Sequence, residues 1–101
     1  MTELLAARRF AEPVDRKAVA RDWRARGYSC ENFTDPPGRE WRDFTHDTNE
    51  LVTVVEGRLE MTVAGESFTI GPGDEAFIPR GAVHSVKNID AATTRWLYGY
   101  D

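Results

Sequence analysis

The chain contains a single cysteine, Cys30, among its 101 residues. No intrachain disulfide can form, so the fold does not depend on an oxidising compartment. We expect Cys30 to be a small buried thiol rather than a reactive one. Runs of about 18 apolar residues are also missing, which predicts no membrane-spanning helix and no membrane partner. The apolar run at residues 4–7 is too short for a secretory signal and precedes two arginines, so we expect a cytoplasmic protein.

Sequence signatures of several enzyme classes are absent as well. The chain has no P-loop, no glycine-rich dinucleotide motif that opens a helix, no cysteine pair for structural zinc and no serine-centred nucleophile elbow. The net charge is −4, and residues 1–27 carry seven Lys or Arg against four Asp or Glu. A mildly basic segment on an acidic body favours docking within the molecule, with a solvated helix face, over a nucleic-acid partner.

Patterns that are present divide the chain near residue 27. Residues 14–26 lack glycine and internal proline, and Asp15 and Gly27 are typical N- and C-terminal caps, which predicts a helix. Residues 1–13 fit either a short strand or an extended arm. From Tyr28 onward, runs rich in Val, Thr, Ile and aromatic residues alternate with turn-forming clusters. This pattern predicts roughly seven or eight strands in an antiparallel sandwich or barrel.

The most specific pattern lies at residues 73–88, GDEAFIPRGAVHSVKN. Gly73, Pro79, Gly81, His84 and Asn88 follow the spacing Gly, five residues, Pro, one residue, Gly, two residues, His, three residues, Asn. This spacing resembles the second motif of the cupin family, and every fixed position matches.

A second segment, residues 38–57, resembles the first cupin motif. Gly38, His46, Glu50 and Gly57 fall on the family pattern, in which a His-x-His pair precedes the glutamate. The position of the first histidine is held by Phe44. The resemblance therefore implies three of the family's four metal ligands and leaves out the fourth.

The cupin resemblance covers residues 29–100 in outline and is sharp over residues 38–88. It implies an all-β fold, a double-stranded β-helix or jelly-roll barrel, with one short N-terminal α-helix. We expect residues 1–27 to form an arm and helix that pack on the barrel, and residues 28–101 to form the cupin barrel itself. The resemblance also implies a small-molecule ligand or substrate and a homodimer formed by sheet faces or exchanged N-terminal segments. The arm and helix could cover exposed strand edges either in the same chain or in a partner.

Three residues are the candidate metal ligands. If the barrel closes as it does in the family, His46, Glu50 and His84 converge with Phe44 on its interior near one mouth. Two imidazoles and one carboxylate suit a divalent transition metal such as iron, manganese, nickel or zinc, and the ligand set does not choose among them. An inward-facing glutamate is costly to bury unless a positive group meets it. The alternative is a barrel without metal, in which a protonated histidine meets Glu50.

Aromatic residues recur near the expected mouth of the barrel: Trp41, Phe44, Phe77, Trp96, Tyr98 and Tyr100. Some of them must fill the interior of so small a barrel, and we assign Trp96 or Phe77 to the core. Tyr98 is the candidate catalytic residue, because its hydroxyl could reach a substrate. Arg42 and Arg95 are candidate anchors for an acidic ligand, although a surface arginine on a strand is the commoner arrangement.

Function stays open among three interpretations, because a fold does not fix an activity. The first is a small metal-dependent enzyme of dioxygenase, isomerase or decarboxylase type that acts on a small organic acid or carbonyl compound. The second is a non-catalytic barrel that binds a small molecule. The third is a structural barrel with a degenerate metal site that works through its dimer surface.

Overall fold

The computed structural model describes residues 3–101. Within this range the chain forms one helix and nine strands. In chain order they are β1 (Leu5–Ala6), α1 (Arg16–Ala25), β2 (Glu31–Asp35), β3 (Glu40–Phe44), β4 (Glu50–Glu56), β5 (Leu59–Val63), β6 (Glu66–Ile70), β7 (Glu75–Ile78), β8 (His84–Asn88) and β9 (Thr94–Tyr100).

The strands form two antiparallel sheets that face each other. One sheet has five strands in the order β1-β7-β4-β9-β2, and the other has four in the order β3-β8-β5-β6. Consecutive strands thus often lie in different sheets, which is the jelly-roll arrangement. The predicted all-β double-stranded β-helix with one short helix is confirmed.

The core between the sheets follows from the alternation of side chains along each strand. On β4, Val52 and Val54 belong to the buried cluster between the sheets. Leu51 and Val55 face the opposite way and belong to a second cluster under the helix. The two-residue period of β4 therefore places Glu50, the first residue of the strand, on the inner face.

Helix α1 begins and ends at the predicted caps, although it is shorter than the predicted span of residues 14–26. The Asp15 side chain accepts a hydrogen bond from the Lys17 amide at 2.9 Å. At the other end, the Tyr28 amide donates to the Trp23 carbonyl at 2.8 Å. Gly27 has a φ of 89°, a conformation that glycine adopts without steric cost after a helix.

Helix α1 packs on the outer face of the five-stranded sheet. Val19 and Trp23 are fully buried in one cluster with Leu51 and Leu97. A Cβ at Gly99 of β9 would collide with the Ser29 carbonyl and approach the Trp23 ring, so only glycine fits under this contact.

A buried carboxylate ties the helix to the sheet. Glu75 of β7 accepts a hydrogen bond from Trp23 Nε1 at 2.8 Å, and Arg26 binds both of its oxygens at 2.9 and 2.8 Å. Each buried oxygen therefore has a partner, which limits the cost of burying the charge.

The segment before the helix adds a short edge strand. Leu5 lies opposite Ala76 of β7, and the Phe77 amide donates to the Leu4 carbonyl at 2.8 Å. Of the two alternatives for residues 1–13, the described part thus contains a short strand; residues 1 and 2 lie outside the described residues. Within residues 3–101, no helix has the length and apolar character needed to cross a bilayer.

Candidate metal centre

Three side chains predicted as ligands lie together at one end of the barrel. His46 lies in the connection between β3 and β4, whereas Glu50 and His84 are the first residues of β4 and β8. Glu50 Oε1 is 3.5 Å from His46 Nε2 and 3.6 Å from His84 Nε2. One ligand atom from each residue lies within 4.8 Å of the others.

Hydrogen bonds from neighbouring loops hold the His46 segment in place. The Gly81 amide donates to the His46 carbonyl at 2.9 Å. The Asn49 side chain accepts from the Arg80 amide at 2.8 Å and donates to Asp101 at 2.9 Å. The turn around Pro79 and Gly81, in the second motif, thus supports the loop that carries His46, a candidate ligand in the first motif.

Burial makes the charged forms of the site costly. Glu50 is 4% exposed, and burial raises its pKa from 4.5 to about 7. Burial also lowers the pKa of His84, with the nearby His46 adding to that effect and the hydrogen bond to Ala82 opposing it. Both shifts favour the neutral forms of Glu50 and His84 in the metal-free site, so the two contacts of Glu50 Oε1 are not ion pairs.

The tautomer of His84 leaves the lone pair of Nε2 facing Glu50 Oε1, which is also an acceptor when the carboxyl is ionised. Its Nδ1 donates to the Ala82 carbonyl at 3.1 Å, since a carbonyl oxygen can only accept, and Nε2 therefore carries a lone pair. Glu50 Oε1 is buried and has no hydrogen-bond partner. Such an orphaned pair of acceptors is the expected environment of a cation.

The spacing of these atoms also suits a metal ion. Ligands at about 2.0–2.2 Å from a tetrahedral or octahedral ion lie roughly 3.0–3.6 Å from each other. The separations of 3.5 and 3.6 Å from Glu50 Oε1 to the two imidazole nitrogens agree with that range. The residues present therefore fit a divalent transition metal.

A β-bulge places Phe44 beside this cluster. Trp41 lies opposite Val86 and Phe44 opposite His84, so β3 has one extra residue between the two pairs. Asp43 has a φ of 57° within this bulge. Because of the extra residue, Trp41 and Phe44 face the same side although they are three positions apart, with ring centroids 5.9 Å from each other.

The cluster of His46, Glu50 and His84 opens into a cavity of about 190 Å³. Its wall contains six aromatic side chains: Phe33, Trp41, Phe44, Trp96, Tyr98 and Tyr100. The prediction that aromatic residues gather at the mouth is confirmed for five of its six members, Trp41, Phe44, Trp96, Tyr98 and Tyr100. Phe33 was not predicted, although its position on an alternating strand could have indicated it.

Three other predictions are corrected by the structure. Phe77 does not lie at the mouth, because it packs against the buried cluster beneath the helix, on the opposite face of the sheet from the cavity. The assignment of Trp96 or Phe77 to the core is confirmed, since Trp96 is 8% exposed in the cluster between the sheets. Arg42 and Arg95 do not line the cavity, because they are exposed and pair with Glu40 and Glu56. The predicted acid anchors are therefore wrong. Cys30 is only half-buried, not fully buried.

Tyr100 is a cavity residue whose role was not predicted. It lies directly opposite Glu50 in the β4–β9 register, and its ring meets His46 edge-on with the centroids 5.0 Å apart. Burial, with smaller effects of Glu50 and Tyr98, raises the pKa of Tyr100 to about 12. The phenol therefore stays protonated and can donate a hydrogen bond into the cavity. The two-residue period of β9 that places Tyr98 in the cavity wall also places Tyr100 there, so alternation could have identified Tyr100.

Comparison with known proteins agrees with this geometry. The family model described as Cupin domain matches residues 32–100. Quercetin 2,3-dioxygenase of Bacillus subtilis (strain 168) is 44% identical over 41 residues, which are 41% of this chain and 12% of that enzyme. The chain thus matches a small part of that relative.

Solved structures give the same fold. The Schizosaccharomyces pombe Cnp3 cupin domain has a TM-score of 0.68 at 23% identity, covering 72% of this chain and 54% of that one. Salicylate 1,2-dioxygenase from Pseudoaminobacter salicylatoxidans has a TM-score of 0.66 at 19% identity, covering 73% of this chain and 20% of that one. At such identities the likeness extends to the fold alone.

Proposed function

The chain belongs to the cupin family, and from that premise we propose that it is a small metal-dependent enzyme acting on a small oxygen-bearing organic compound. The observation that carries the proposal is the buried Glu50 Oε1, which faces two imidazole nitrogens and has no hydrogen-bond partner. A divalent cation held by His46, Glu50 and His84 would satisfy all three groups. The dioxygenase names of two similar proteins are consistent with it.

The chemistry of such a site follows from its open side. A divalent metal with free coordination positions polarises a bound carbonyl or lowers the pKa of a bound water. Phe44 provides an apolar wall where the family motif has a histidine, and the Tyr98 and Tyr100 rings line the adjacent cavity. These residues would exclude water from the reacting end and orient the substrate. A reaction of dioxygenase, isomerase or decarboxylase type fits this arrangement, with iron, manganese, nickel or zinc as the ion.

A non-catalytic binding barrel is the second candidate. The aromatic lining of the cavity supports it, because such a wall binds a ligand without requiring chemistry. Recovery of a stabilising ligand unchanged after long incubation with the metal-loaded protein would favour this candidate over the enzyme.

Elemental analysis tests the metal proposal. We expect the purified protein, loaded separately with iron, manganese, nickel and zinc, to retain close to one ion per chain with at least one metal. Glu50→Ala should lose most of it. Glu56→Ala, at the exposed end of the same strand, is the matched control and should retain it. Absence of bound metal from the wild type under all four conditions would refute the proposal.

Three further expectations stay predictions. They are the division into a segment of residues 1–27 and a barrel of residues 28–101, the homodimer and the cytoplasmic location. Light scattering measures the oligomeric state directly, and a monomer at micromolar concentration would contradict the homodimer.

A further inference from the structure

The aromatic side of the cavity is arranged along β9. Trp96, Tyr98 and Tyr100 line it at alternate positions, with Tyr100 opposite Glu50 and Trp96 opposite Val54. At about 3.3 Å per residue, Trp96 and Tyr100 are about 13 Å apart along the strand. The cavity is therefore polar at the Glu50 end and apolar at the Trp96 end.

The cavity wall contains no Lys or Arg among the described residues. Arg39 lies over the Trp41 ring, with its guanidinium carbon 4.3 Å from the ring centroid. It also lies 3.6 Å from Asp35 and does not line the cavity. An anionic group at the aromatic end of the cavity would thus have no ion-pair partner. The aromatic wall therefore favours an uncharged ligand at that end.

The aromatic rings of the wall pack edge-to-face, and a bound aromatic ring could make further contacts of the same kind. Phe33 meets Trp41, Trp96 and Tyr98 edge-on, with centroid distances of 5.8, 5.4 and 6.3 Å. Edge-to-face pairs of this kind are favourable beyond the apolar area that they bury. A dry apolar cavity of about 150 Å³ is large enough for benzene, so the volume of about 190 Å³ admits one ring with a small substituent.

A buried carboxylate fixes the orientation of two of these rings. Asp35 is 0% exposed and accepts hydrogen bonds from Trp96 Nε1 at 3.0 Å and Trp41 Nε1 at 3.1 Å. The two indoles come from different sheets, on β9 and β3. Asp35 is therefore a positioning residue that holds the aromatic wall across the barrel.

We propose that the cavity binds a single uncharged aromatic ring that carries an oxygen substituent. The ring lies among Trp41, Phe44 and Trp96, and the oxygen points towards the cluster of His46, Glu50 and His84. The oxygen end of this inference rests on the proposed metal site, whereas the ring end rests on the cavity alone. Phe44 determines specificity, since it lines the cavity with its ring centroid 6.4 Å from that of His84 and is 40% exposed.

A matched pair of probes tests the inference in the wild-type protein. Phenol and cyclohexanol share a hydroxyl and differ in aromatic character, and both are titrated by NMR into metal-free and metal-loaded protein. We expect phenol to bind tighter by about two- to tenfold in both forms, the range that aromatic pairing adds to equal apolar burial. Equal affinities, or tighter cyclohexanol binding, would overturn the inference.

Two substitutions assign the effect to the cavity. Phe44→Leu should reduce the preference for phenol, while Phe77→Leu, on the other face of the sheet, should leave it unchanged. Asp35→Asn should also reduce the preference for phenol, because Asp35 holds the two indoles. The change in tryptophan fluorescence on phenol binding should differ from that of the wild type in Asp35→Asn and equal it in Phe77→Leu. A preference that persists in Phe44→Leu and Asp35→Asn would place the ring elsewhere and refute the assignment. Metal content is measured separately, so loss of metal with a retained phenol preference contradicts only the proposed function.

Discussion

Replacing Glu50 by glutamine should change how the stability of the metal-free protein depends on pH. Glu50 is buried, and the resulting loss of hydration raises its pKa from 4.5 to about 7. A group with a raised folded-state pKa contributes stability that is fully present below its unfolded pKa and is lost as pH rises through its folded pKa. The wild type should therefore lose stability relative to Glu50→Gln between about pH 4.5 and pH 8.

The size of this loss follows from the two pKa values. The difference between 4.5 and about 7 corresponds to about 3 kcal/mol at roughly 1.4 kcal/mol per pH unit. This value is an upper bound, because local rearrangement or water entry can reduce the cost of the charge. Glu50→Gln should equal the wild type near pH 4 and exceed it by up to about 3 kcal/mol near pH 8.

Urea unfolding in the presence of a chelator measures this difference. His84 also titrates, but it is present in both proteins, so its contribution largely cancels in the comparison. Glu56→Gln controls for the loss of a carboxylate from the same strand, because Glu56 is exposed. The reasoning is refuted if the free energy of unfolding of wild type and Glu50→Gln changes in parallel with pH. With a transition metal at about 1,000 times its dissociation constant, the order should reverse, since binding then adds about 4.1 kcal/mol to the wild type, which exceeds the deficit of up to about 3 kcal/mol.

Three further substitutions test the surroundings of the site. Glu75→Ala should destabilise the protein by about 1–3 kcal/mol in urea unfolding, because it leaves the buried Trp23 Nε1 without an acceptor; no change would contradict this. Gly99→Ala should lower the melting temperature and Gly71→Ala should not, since a Cβ at Gly71 meets nothing within 4 Å; equal melting temperatures would refute the packing argument. Asp101→Ala should weaken metal affinity by about tenfold in a chelator competition, because Asp101 orients the His46 loop through Asn49; unchanged affinity would show that this contact is dispensable.

Much of the fold could be predicted from local patterns. The caps at Asp15 and Gly27 depend on residues within one turn of the helix, and the inner face of β4 depends on alternation alone. The meeting of His46, Glu50 and His84 required the family resemblance as well, because these residues come from one loop and two different strands and no local pattern relates all three. Their role as metal ligands stays a prediction.

The parts that could not be predicted depend on long-range geometry. The bulge in β3 shifts the strand by one residue, so strict alternation from Trp41 gives the wrong face for Phe44. Asp35 stands before two prolines, a sequence that is typical of a turn, although its carboxylate lies between two distant indoles. Phe77 lies opposite Leu51 of β4 and shares its face towards the helix, and this register is not encoded in the composition of β7.

Anomalous diffraction tests the central claim most directly. A crystal of the protein loaded with manganese or zinc is measured on either side of the absorption edge of that metal. The account predicts one anomalous peak at about 2.0–2.3 Å from His46 Nε2, Glu50 Oε1 and His84 Nε2. A fully loaded crystal with no peak among these three atoms, or with its metal bound elsewhere, would contradict it.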